Sequence, residues 1–277
     1  MPKAKANNIS LNYEQQGSGE PLILIPYLTA DHACYTFQVA EYSKHFTCIS
    51  IDLPGTGESD NRPSNYSTED LADDVAGLIK ALDIPSAHIA GSSLGAAIGL
   101  WLAVKYEDKV RSLSLFGGWT KTDRFIETVV EGWQITARAL GSVPEMVIQS
   151  IFPWCLTPKL YAEKPEYLQA LSDFVRSRPE QSVADFMLQS NAVIGHDVEE
   201  HLGRISAPTQ ITFGSHDIVT STRFARPLTE NIRKSKVVIF EECAHAPMYE
   251  KVDEFNQRTL AFLKSNQTSG VAASSSS

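Results

Sequence analysis

The chain has 277 residues and a formal net charge of −9, from 24 Lys and Arg against 33 Asp and Glu. That balance excludes the concentrated cationic surface that nucleic acid or an anionic membrane requires, and the length suits one large α/β domain or a domain with an insertion, able to hold a dry pocket. Cys34, Cys48, Cys155 and Cys243 stand far apart, with no C-x-x-C pair and no histidine at metal-ligand spacing, so free thiols packed in a core and a reducing compartment are expected.

Residues 1–8 lack the apolar run of a secretory signal. Ile9 to Glu14 alternates apolar and polar residues and predicts a half-exposed strand. Leu22 to Ile25 is too short to span a bilayer and is stopped by Pro26, so it reads as a buried strand. A helix over 33–43, a strand over 46–51 and a helix over 68–82 follow, the last opened by the capping sequence Ser67-Thr68-Glu69-Asp70. Next come a strand over 87–90, a helix over 94–106 and a strand over 110–116. After a long interruption the rhythm resumes with strands at 209–213 and 237–240 and helices at 222–231 and 252–263. Short apolar runs alternating with helices imply a mainly parallel sheet covered on both faces.

The interruption, residues 119–203, has helical periodicity and no convincing strand, and prolines at 144, 153, 158, 165 and 179 cut it into short helices. It reads as an inserted helical cap, or lid, on a core formed by residues 1–118 and 204–269. The low-complexity end, 270–277, is expected to be disordered. Within the cap and beside it, Trp119, Trp133 and Trp154 are candidates for a substrate pocket. A soluble cytoplasmic protein acting on a small molecule, with no nucleic-acid or membrane partner, is the expectation; the oligomeric state stays open.

The pentapeptide Gly91-Ser92-Ser93-Leu94-Gly95 joins a predicted strand to a predicted helix. Such a turn forces its central serine into a strained conformation that lifts the hydroxyl off the sheet, and flanking glycines relieve the collisions a β-carbon would make. A serine needs a base, and His245 follows the strand over 237–240, in the loop Glu241 to Pro247. A base histidine needs a carboxylate, and Asp217 lies just past the end of another central strand, where catalytic groups of parallel sheets collect. Asp123 is the alternative acid; His88, within a strand, reads as a core residue.

The order Ser93, Asp217, His245, with Asp52-Leu53-Pro54-Gly55-Thr56-Gly57-Glu58-Ser59 after the fourth strand, and with Pro247 and Glu250 after the histidine, resembles the α/β-hydrolase superfamily from Ile9 to Leu263. The resemblance implies an α/β-hydrolase fold, a serine hydrolase of small-esterase or enol-lactonase type, and no metal or organic cofactor. It also implies an oxyanion hole made by the backbone N–H groups of Leu28 and Leu94. One departure stands out: where the superfamily usually has His-Gly after its third strand, this chain has Pro26-Tyr27, which brings a phenol to the edge of the site. Ester or lactone hydrolysis is the first expectation. Carbon–carbon hydrolysis of a ring-cleavage product, and a non-hydrolytic receptor, lyase or cyclase, are the alternatives.

Overall fold

A computed structural model describes residues 2–268; the expected tail disorder concerns residues outside that range. Eight strands run in chain order as β1 (Lys3–Ala6), β2 (Ile9–Gln16), β3 (Glu20–Ile25), β4 (Phe46–Ile51), β5 (Ala87–Ser92), β6 (Val110–Phe116), β7 (Thr209–Gly214) and β8 (Ser235–Phe240). They form one sheet in the order β1-β2-β4-β3-β5-β6-β7-β8. The first two strands are antiparallel to their neighbours, and β4-β3-β5-β6-β7-β8 are all parallel. Strands β5 and β7 are buried along their whole length, polar residues such as His88 and Gln210 included.

The helices outside the interruption are α1 (Thr36–Tyr42), α2 (Thr68–Ala81) and α3 (Leu94–Lys105), then, late in the chain, α10 (Ala225–Asn231), α11 (Pro247–Glu250) and α12 (Val252–Ser265). Ser67 and Asp70 form the expected reciprocal capping box at the start of α2. Helix α3 is buried from Leu94 to Val104, because it lies across the sheet directly behind the Ser93 turn and is apolar on every side. Between β6 and β7 the chain forms α4 (Arg124–Leu140), α5 (Val143–Met146), α6 (Phe152–Cys155), α7 (Pro158–Glu163), α8 (Pro165–Ser177) and α9 (Val183–Ile194). Pro144, Pro153, Pro158 and Pro165 each sit in the first turn of one of these helices, where the missing N–H costs nothing. Among the described residues, no helix is long and apolar enough to cross a membrane.

Two buried polar groups tie the loops at the carboxyl end of the sheet. Asp52 accepts from the His32 ring at 2.7 Å, the His32 N–H at 2.7 Å, Asn12 Nδ2 at 2.7 Å and the Glu58 N–H at 2.9 Å. These contacts explain the acidic start of the Asp52 to Ser59 segment, whose loop is folded around one carboxylate. His196, at the end of α9, donates from Nε2 to the Trp119 carbonyl at 3.2 Å and accepts the Thr68 hydroxyl at Nδ1, 2.8 Å away. The neutral ring is satisfied at both nitrogens, and the site is fully buried.

Burial therefore pushes the His196 pKa down to about 4. The unfolded chain binds this proton near pH 6.5 and the folded chain only near 4, so stability falls as pH drops through that window and levels off below it. The loss through this one group should be on the order of 3 kcal/mol. Urea titrations across pH 7.5 to 4 should show it, and His196→Gln should flatten that part of the profile; an unaltered slope in the variant contradicts the assignment.

Candidate active site

The turn between β5 and α3 holds Ser93 at φ 50° and ψ −114°, a region that L-residues avoid. Three contacts hold it there. The Ser93 N–H donates to the Phe116 carbonyl at 2.7 Å, and its own carbonyl accepts the Ala96 and Ala97 N–H groups. At Gly95 a β-carbon would stand 2.1 Å from the Ile25 carbonyl oxygen, so only glycine lets α3 come this close to β3.

His245 and Asp217 reach the same place from the ends of β8 and β7. His245 Nδ1 lies 2.8 Å from Asp217 Oδ2, both side chains being almost fully buried. Asp217 Oδ1 accepts the Val219 and Thr220 N–H groups at 2.8 and 3.2 Å, and Oδ2 also accepts the Thr220 hydroxyl at 3.1 Å. Burial alone raises a carboxyl pKa; here the His245 ring, the Val219 N–H and the Thr220 hydroxyl outweigh it and hold Asp217 below the ordinary range. An ionised Asp217 fixes the proton on Nδ1, which leaves Nε2 as the lone-pair nitrogen able to take a proton. The two loops are also bonded to each other, His216 N–H to the Cys243 carbonyl at 2.8 Å and Glu242 N–H to Ser215 Oγ at 2.9 Å.

Ser93 and His245 line one cavity, together with Tyr27, Leu28, Trp119, Trp133 and residues of the helices between β6 and β7. Of the three tryptophans marked as pocket candidates, Trp119 and Trp133 line it and Trp154 does not. Trp154 instead meets Phe125 edge to face, ring centres 6.1 Å apart. The Trp133 indole N–H has no acceptor among the described residues. Cys155, expected to serve core packing, lines the cavity, and burial pushes its thiol up, which keeps it protonated and a poor nucleophile.

Neither the Leu28 N–H nor the Leu94 N–H meets an acceptor among the described residues. The turn carrying Leu28 is fixed on either side of it: the Ala30 N–H donates to the Tyr27 carbonyl at 3.1 Å, and the Thr29 N–H to Gln189 Oε1 at 2.8 Å. The Tyr27 phenol is spoken for. It bonds Tyr249 Oη at 2.9 Å, and Tyr249 in turn donates to the Cys34 carbonyl at 2.8 Å.

Of the other groups weighed, Asp123 caps α4 through the Ile126 N–H and pairs with Arg223, which removes it as the alternative acid. His88 is a satisfied core residue between Ser112 and Glu20. Asp31, His32 and Asp52 bring one potential metal-ligand atom each within 4.8 Å, but Asp52 already has the bonds above, and Asp31 accepts from the Ala33 N–H and Arg178. Two residues of the site, Thr220 and Gly117, escaped sequence reasoning, while Glu250 was marked only as part of the family pattern. Thr220 orients the carboxylate. Gly117, at φ 61°, is where a β-carbon would stand 2.5 Å from His245 Cε1; the Gly117-Gly118 pair directly after β6 was its signal. Glu250 accepts the Ala244 N–H at 2.7 Å with one oxygen and the Thr157 N–H at 3.1 Å and hydroxyl with the other, joining the His245 loop to the start of α7.

The fold and the site together match a known pattern. The sequence profile described as "alpha/beta hydrolase fold" matches residues 20–252. The chain is 26% identical over 269 residues to RutD of Azorhizobium caulinodans, provisionally named a carbamate hydrolase, covering 95% of this chain and 98% of that protein. It is 26% identical over 264 residues to 3-oxoadipate enol-lactonase 2 of Acinetobacter baylyi, covering 94% and 95%. A thermophilic esterase from Thermogutta terrifontis superposes with a TM-score of 0.84 at 22% identity, over 96% of this chain and 99% of that one. With a matching profile over residues 20–252, and the serine turn where the sequence placed it, at the end of β5, the chain belongs to the α/β-hydrolase fold family.

Proposed function

We propose that this protein is a serine hydrolase that cleaves a carboxylic ester or lactone of an uncharged, largely apolar small molecule. The observation that carries the reading is the buried His245–Asp217 pair, joined at 2.8 Å through Nδ1, beside a cavity that the strained Ser93 turn also lines. In this reading His245 Nε2 takes the Ser93 proton as the hydroxyl attacks the acyl carbonyl. The Leu28 and Leu94 N–H groups receive the developing oxyanion, each donor being worth about 10²–10³ in turnover. Protonated His245 then releases the alcohol, and water, activated by the same nitrogen, frees the acyl group from Ser93. Residues 119–203 act as the cap that keeps bulk water from the acyl-enzyme, over a core of residues 1–118 and 204–269.

Substrate charge follows from the cavity wall. None of the 24 residues lining it is Asp, Glu, Lys or Arg. A substrate carboxylate buried there would lose its hydration with no counter-ion, at a cost of several kcal/mol. That argues against two kinds of substrate: the lactone of 3-oxoadipate, which keeps a free carboxylate and is the substrate named for one relative, and the dienoic acids of carbon–carbon hydrolysis. Neutral esters and lactones meet no such penalty.

Three outcomes are expected. Ser93→Ala should retain the fold by circular dichroism while losing turnover of neutral esters and labelling by a fluorophosphonate probe; hydrolysis at the wild-type rate in that variant sinks the mechanism. In the wild type, kcat/KM for a neutral methyl ester should exceed that for the corresponding half-acid, with its second carboxylate free, by about 10² or more, as steady-state kinetics will show. Gly117→Ala should lower kcat by about 10² with little change in KM, since it displaces His245 and not the pocket wall; equal losses in an unrelated variant of matched stability would point to a folding effect instead.

A further inference from the structure

Helix α8 bounds the reaction cavity on one side, and two further hollows share that boundary. One runs beside the loop after β3 and is the more polar of the two, with the Arg178–Asp31 ion pair, 2.8 Å long, and Gln181 in its wall. The other lies between α8 and the segment 33–37 and is almost wholly apolar, with Ala33, Phe37, Tyr167, Ala170 and Leu171 in its wall. Phe37 is 40% exposed, so this second hollow reaches the surface. Phe174 is the one residue that bounds all three spaces.

The helix that carries Phe174 is lightly held. Of its thirteen residues only Leu171 and Ser172 are buried. Polar contacts fasten its ends: the Tyr167 hydroxyl donates to the Tyr249 carbonyl at 3.0 Å, Arg176 pairs with Glu145 at 2.7 Å, and Arg178, just past the last turn, pairs with Asp31. Between these fastenings the Phe174 ring is a partition and not a core anchor, because it is itself only half-buried. Leu171 and Tyr249 also border both the reaction cavity and the apolar hollow, but truncating the half-buried Phe174 widens the two spaces without emptying a packed interior, so the cavity penalty of a true core truncation does not apply.

We propose that Phe174 is a specificity-determining residue: its ring closes the reaction cavity off from the apolar hollow beside α1, a side arm matched to the hydrocarbon chain of an ester longer than the main cavity holds. The inference rests on the ester reading above and adds to it the feature that limits substrate length. The arm's wall carries no ionisable group beyond the phenols of Tyr167 and Tyr249 and the Cys34 thiol, and burial pushes all three up, so it stays neutral and accepts an alkyl chain. The more polar hollow, with its ion pair, offers no such welcome.

The test is a chain-length series of p-nitrophenyl acetate, butyrate, octanoate and dodecanoate on the wild type, Phe174→Ala and Phe174→Trp, with thermal melts to show that all three are folded. The expected result is a wild type that favours the short esters. In Phe174→Ala the ratio of kcat/KM for dodecanoate to that for butyrate should rise about tenfold or more, and in Phe174→Trp it should fall. A length profile unchanged in both variants, with the short esters still cleaved, overturns the role of Phe174 and leaves the hydrolase reading standing. Should the wild type cleave none of the series, the hydrolase reading fails, and the partition is tested by binding: quenching of tryptophan fluorescence by 1-dodecanol should then be tighter in Phe174→Ala than in the wild type, and equal affinity overturns the proposal.

Discussion

The approach of α3 to the end of β3 is the contact on which the rest of the site depends. A β-carbon at Gly95 would fall 2.1 Å from the Ile25 carbonyl, so the helix start is seated against the strand as closely as backbone atoms allow. That single contact fixes several things together. It seats the start of the helix directly behind Ser93, whose strained turn leads into it, and brings that start up to the end of β3, three residues before Leu28. A site assembled on the ends of rigid parallel strands inherits their precision, and the loops have only to supply side chains.

Burial then decides the electrostatics. Asp217 is sealed from water, a state that by itself favours the neutral acid, and its ionisation is secured by four bonds to its two oxygens. The same dryness extends to the cavity, where an apolar wall raises the worth of every correctly placed N–H and the cost of every unpaired charge. Placement and exclusion are therefore two effects of one low-dielectric environment.

Much of this was legible in the sequence because it rests on local rules. The strand runs over 46–51 and 110–116 were read to the residue, since both are short segments dominated by apolar and β-branched residues. Prolines marked four helix starts between β6 and β7 because a proline fits only a first turn. Strand β1 was missed: Lys-Ala-Lys-Ala carries no strand signal, and it is a strand only through its pairing with β2. The fate of Trp154, the bond between Tyr27 and Tyr249, and the work of Thr220 were likewise out of reach. Each depends on which way a side chain turns once distant segments meet, 222 residues apart in the case of the tyrosines.

Glu250 carries a mechanical consequence. One oxygen of its carboxylate secures the backbone next to His245, and the other secures the first residues of α7. The start of α7 and the backbone beside His245 therefore cannot shift independently, because moving either one pulls on the single carboxylate that holds the other.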